Sequence, residues 1–221
     1  MIALIQNIRY IENKDWATFL FLFCFVVIAV VKSQNEAQFN EFLRLPFSKK
    51  YETTYRDTSN LYSFFTVALF IIQLISFSFL ILIFLNYFEL ASKYNWITFI
   101  QIITSLAVFI LFKFYFEKII ATAFDVEEFL EILNLKKVTY RAYIGFVFMP
   151  LAVFFYYNTF LNKKFILIFL SITGILMIYS YIKSVAAYQK IILSKLFYFI
   201  LYLCTLEIGP YYFIYYWFTN K

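Results

Sequence analysis

The sequence predicts an all-α fold, a polytopic transmembrane helix bundle of about six spans with interfacial amphipathic segments. Three observations carry that prediction. Hydrophobic residues fill 64% of the 221 positions and charged residues only 14%, where soluble domains carry nearer a quarter charged. Mean hydropathy is +0.78. The few charges gather between long uncharged runs, several of them near the ~20 residues a helix needs to cross a ~30 Å hydrocarbon core. These runs leave no room for a separate soluble module. Residues 1–221 therefore read as a single integral membrane domain, with spans near 16–31, 61–88, 94–112, 142–162, 165–182 and 196–220.

Residues 1–15 form a short interfacial lead-in without strong periodicity. The run from Trp16 to Val31 is short for the core, so Asp15 and Lys32 are expected to snorkel. A signal peptide is the alternative, but the basic n-region is weak and no Ala-x-Ala site follows. The loop from Lys32 to Asn60 places Phe39, Phe42, Leu43, Leu45 and Phe47 among Arg44, Lys49 and Lys50. That pattern suits a helix lying in the headgroup region, ended by Pro46.

The second span, Leu61 to Phe88, is longer than the core needs and should tilt or project. Gln73 and Ser76 share one face near its middle. A tight turn at Glu89 to Lys93 leads to the third span, Tyr94 to Phe112, where Gln101, Thr104 and Ser105 form a polar stripe at helical spacing. These five side chains are expected to point into the bundle, because polar groups within the bilayer favour protein over lipid. The helix can extend beyond Lys113 to Glu117. An acidic amphipathic helix follows around Asp125, Glu127, Glu128 and Glu131 and reads as a solvated face. Gly145 and Pro150 mark the fourth span and Gly174 the fifth as places where a helix could loosen.

The sixth span holds Tyr202-Leu203-Cys204-Thr205-Leu206-Glu207-Ile208-Gly209-Pro210. Glu207 falls near mid-membrane, where a carboxylate costs roughly 2.5–3.5 kcal/mol on insertion scales. Gly209 and Pro210 interrupt the same helix two residues later. Three readings stand: a neutral acid acting as packing glue, a proton- or ion-linked group, and a contact with a partner subunit's helix. No Lys or Arg lies within the central turns of any span, so desolvation should favour the neutral acid. Gln73, Gln101 or a tyrosine from another span is the expected hydrogen-bond partner. With Thr205 and Cys204, these residues compose a candidate intramembrane polar site.

The same run resembles the C-terminal signature of a multi-span inner-membrane family of Bacteroidota carried under a domain-of-unknown-function name. That family often has Leu-Pro where this chain has Gly209-Pro210. The Pro46-Phe47-Ser48-Lys49 loop and the Gly145/Pro150 span also resemble it, and the likeness runs from about Gln38 onward. The resemblance implies the inner membrane of a Gram-negative cell and no established activity.

Charge and composition narrow the function. The net charge of +6 does not indicate nucleic acid, because the cations sit in short loops and no basic run interleaves with aromatics. The first, third and fifth loops outnumber the other side in Lys and Arg by about two to one, which makes them cytoplasmic and puts both termini in the periplasm. Trp16, Trp96 and Trp217 all fall on the cation-poor side. Cys24 and Cys204 lie inside spans and histidine is absent, so no disulfide framework, metal site or cofactor is expected. No Ser/His/Asp set, phosphate-binding loop or dinucleotide motif appears. Arg44, Lys49, Lys50 and Asp57 offer no spacing tied to a reaction. An enzyme is the less favoured reading. The preferred one is a scaffold or assembly subunit whose partners are the lipid bilayer and other membrane-protein subunits. The alternative is a proton- or ion-linked transporter module using Glu207.

Overall fold

The computed structural model describes residues 14–45, 63–123 and 127–158, with Tyr51, Thr54, Tyr55 and six isolated later positions, omitting the side chains of Ile120, Ala123 and residues 128–133. Five helices cover the described segments: α1 Asp15–Gln34, α2 Glu36–Leu43, α3 Phe64–Tyr87, α4 Trp96–Ala123 and α5 Glu127–Tyr157. No strand occurs among the described residues. Four of these helices contain a stretch long and apolar enough to cross a membrane: Asp15–Gln34, Phe64–Tyr87, Trp96–Ile119 and Asn134–Tyr157. The fifth and sixth spans expected from sequence lie outside the described residues, apart from isolated positions.

The observed boundaries revise the expected ones. The third span starts at Trp96, not Tyr94, because Asn95 caps it: its side-chain oxygen accepts from the backbone N–H groups of Ile97 at 3.0 Å and Thr98 at 3.4 Å. That helix does continue past Lys113, to Ala123. The acidic amphipathic segment and the fourth span are one helix of 31 residues, which ends at Tyr157 rather than residue 162. Neither Gly nor Pro occurs between Glu127 and Tyr143, so nothing in the backbone divides it there. The helix also runs through Pro150, which is exposed.

Ser63 starts α3, accepting from the Thr66 N–H at 3.3 Å, the expected role of an N-cap serine. The end of α3 follows the Schellman pattern. The Leu90 N–H reaches the Leu85 carbonyl at 3.0 Å and the Glu89 N–H the Asn86 carbonyl at 3.2 Å. Glu89 takes the left-handed position with φ of 60°, which glycine usually fills.

α3 is the central element and packs most extensively on α5. Water exclusion does little to join helices inside a bilayer, so van der Waals fit must do it. The fit is supplied by a buried row on α5: Ala142, Gly145, Met149, Ala152 and Tyr156. Their spacing alternates three and four residues, which keeps them on one seam. α2 is present as the sequence suggested, but its apolar face meets protein. Phe39 and Phe42 are buried. The Phe42 ring lies 5.8 Å from Phe65 and 5.6 Å from Tyr143, so α2 closes one end of the bundle.

At the opposite end, the start of α1, the end of α3, the start of α4 and the end of α5 come together. Trp16 stacks on Phe79 at 5.8 Å and meets Phe99 at 5.1 Å and Tyr156 at 6.1 Å. Thr18 and Tyr157 hydroxyls share a hydrogen bond. Lys93 is buried, and its ammonium donates to the Tyr156 carbonyl at 3.0 Å. A cation at that carbonyl complements the negative end of α5. The four long helices thus alternate in direction.

Candidate functional site

Within α3, apolar residues occupy nearly every turn and leave Gln73, Ser76 and Ser78 as its fully buried polar side chains. Ser78 satisfies itself by donating to the Leu74 carbonyl one turn back, at 2.7 Å. Ser76 is completely buried and its hydroxyl has no hydrogen-bond partner among the described residues. Gln73 is 1% exposed, and neither its amide nitrogen nor its carbonyl oxygen is paired there. A serine can rotate to bond its own helix as Ser78 does. A carboxamide has two donors and an acceptor and needs an outside partner. Leaving such a group unpaired in apolar surroundings costs roughly 2–7 kcal/mol, depending on the reference state.

The facing wall is Gly145. A Cβ built there would stand 2.7 Å from the Gln73 Cα and 2.9 Å from its Cβ. The two backbones therefore meet at the polar layer itself. Sequence marks Gly145 as a place for the fourth span to loosen. It instead forms a notch in a continuous helix, into which the Gln73 backbone fits. The seam is tight where the polarity is greatest.

The expected inward layer is only partly assembled. Gln73 and Ser76 face inward. Gln101, Thr104 and Ser105 are exposed on α4, and the described residues do not join them to the first pair. Glu207, Thr205, Cys204, Gly209, Pro210 and Gly174 lie outside the described residues.

Three features escape a reading of sequence alone. Lys93 looks like a topology charge in a short turn, yet it pins α5. Glu117 and Lys137 form an ion pair at 3.6 Å between α4 and α5, both largely buried. Their signal is an acid one turn past Lys113 on an otherwise apolar helix. Tyr51, between the spans, is buried beneath α2, where its ring lies 6.0 Å from Phe42. Burial pushes its phenol up to about 12; a hydrogen bond with Gln38 pulls the other way and Tyr55 adds to the rise.

Long apolar helices with a tight polar seam and aromatic and cationic ends define a polytopic helical membrane protein. The chain belongs to the family described as domain of unknown function DUF4271, whose model matches residues 17–218. No curated protein and no solved structure matches it.

Proposed function

We propose that the chain is a non-enzymatic, multi-pass protein of the bacterial inner membrane that serves as a scaffold or assembly subunit of a membrane complex, with both termini in the periplasm. The observation that carries this reading is the backbone contact between Gly145 and Gln73. A transport pathway needs a polar cavity near the midplane. Here the polar layer of the described bundle is a place of direct backbone contact between two helices, with no room for a Cβ at Gly145. The exposed stripe of Gln101, Thr104 and Ser105 adds support, since polar groups within a span favour protein neighbours.

The alternative is a proton- or ion-linked module that uses Glu207. The Gln73 carboxamide, unpaired among the described residues, favours it. Gln73 lies about 14 Å along α3 from the cation-rich end, and Glu207 about 16 Å along the expected sixth span, at 1.5 Å per residue. A protonated acid at that depth would complement a carboxamide, since each has a donor and an acceptor.

One experiment separates the readings. The chain and its Glu207→Gln variant are purified, reconstituted into proteoliposomes and assayed for proton and cation flux. Cells carrying each are scored for chain accumulation and for a stoichiometric membrane complex on native gels. The scaffold reading expects no flux, and a complex that survives Glu207→Gln. Flux abolished by Glu207→Gln would replace it with the transport reading. An alkaline phosphatase fusion at Lys221 should be active if the termini are periplasmic.

A further inference from the structure

We propose that the cation-rich end of the α4–α5 pair binds a phosphate-bearing anion, a phospholipid headgroup, with one phosphate oxygen entering the cavity between Lys113, Glu117, Lys137 and Arg141. The cavity measures about 20 Å³, enough for one oxygen-sized group. Its polar lining has three cations, one carboxylate and the buried Asn134 amide. Glu117 is matched to Lys137 at 3.6 Å. Among the described lining residues, three cations stand with that one carboxylate. Arg141 is held in place by its Nε, which donates to the Lys137 carbonyl at 3.3 Å.

Depth favours a lipid. Helix rise from Trp96 to Lys113 and from Tyr157 back to Arg141 comes to about 25 Å and about 24 Å at 1.5 Å per residue. In a ~30 Å core that begins at the aromatic end, both cations lie just inside the far boundary. Their long side chains reach from there to the phosphate level. The remaining lining is apolar: Ile110 and Phe114 on α4 and Val138 on α5. Ile110 lies a turn deeper than Phe114. A phospholipid presents a phosphate above and an acyl chain below, in the same order. Basic pockets between membrane helices are a recurring means of holding anionic headgroups.

The test is native mass spectrometry of the full chain in detergent, titrated with phosphatidylglycerol, phosphatidylcholine or inorganic phosphate. Phosphatidylglycerol should be retained over phosphatidylcholine, and Lys113→Gln and Arg141→Gln should each weaken its retention about fivefold, the ratio that corresponds to one cation at a membrane surface. Lys118→Gln, an exposed control on the same helix, should change it less than about twofold. Inorganic phosphate should fail to displace the lipid; displacement would assign the cavity to a free phosphate instead. Equal retention of both lipids, or an equal loss in the Lys118→Gln control, overturns the proposal. Should a variant fail to accumulate, a photoreactive phosphatidic acid on the unmodified chain decides. Crosslinking at residues 110–117 is expected, and crosslinking only elsewhere overturns the proposal.

Discussion

Helices α3 and α4 are both long, and each has an apolar stretch able to cross a membrane. Yet 67% of the apolar stretch of α3 is buried inside the molecule, against 6% of that of α4. Each also carries a polar group near its middle, Gln73 with Ser76 and Gln101 with Thr104 and Ser105. Polarity therefore did not decide which helix became central. The small residues on α5 provide the difference. Ala142, Gly145 and Ala152 form a groove that α3 occupies, and inside a bilayer such steric fit replaces the water-driven term that sorts helices in soluble proteins.

That contrast can be broken most forcefully at the groove. Gly145→Leu has to displace the Gln73 backbone and should cost more than the ~1–3 kcal/mol typical of overpacking. The expected outcome is little folded protein by size-exclusion chromatography in detergent. A variant that accumulates normally and melts within a degree or two of the parent would mean the seam is not what holds α3.

Next in size is a matched pair. Leu82 on α3 is fully buried and Leu111 on α4 is 45% exposed. Leu82→Ala should cost about 2–5 kcal/mol, as buried leucines do, and Leu111→Ala no more than about 0.5 kcal/mol. Thermal melts of the two purified variants make the comparison. Similar melting losses would show that α4 is packed as tightly as α3.

Lys93→Met removes the buried donor from the Tyr156 carbonyl and should cost about 1.5–3 kcal/mol, the range for hydrogen bonds to charged groups. Limited proteolysis near residue 157 should accelerate. Unchanged cleavage would place the stability of the end of α5 elsewhere.

The smallest effect concerns Tyr51 under α2. Its phenol is held neutral, with the folded pKa at about 12 above the ordinary value of ~10. The sign follows from linkage. This contribution is fully present below pH ~10 and is lost as the pH rises towards 12. Tyr51→Phe should therefore move the alkaline midpoint of the circular-dichroism transition slightly upward. A midpoint unchanged or lowered would show that ionisation of this phenol does not help open the bundle.

The spans present in the described residues are legible in sequence because some twenty apolar positions without a charge suit a membrane crossing and little else. The packing partners are not. Phe39 and Phe42 suit lipid or protein equally, and only the distance to Phe65 and Tyr143 resolves which. Gly145 reads as a weak point because glycine favours bends as well as close contacts, and the choice depends on what stands opposite. The stripe of Gln101, Thr104 and Ser105 is correct in spacing, while spacing is silent about what the face meets. The acidic amphipathic helix around Glu127 to Glu131 and the fourth span read as two elements, since charge suggests a boundary that the backbone from Glu127 to Tyr157 does not observe.

That unbroken backbone has a mechanical consequence. At 1.5 Å per residue, the 28 residues of α4 and 31 of α5 extend about 42 Å and about 46 Å, against a hydrocarbon core of ~30 Å. The surplus lies on the cation-rich side as an arm of helix. The Lys93 latch on the Tyr156 carbonyl anchors its far end, so a small tilt within the membrane becomes a larger sweep at the tip. Any change in bilayer thickness that alters helix tilt would be converted into displacement of the arm outside the membrane.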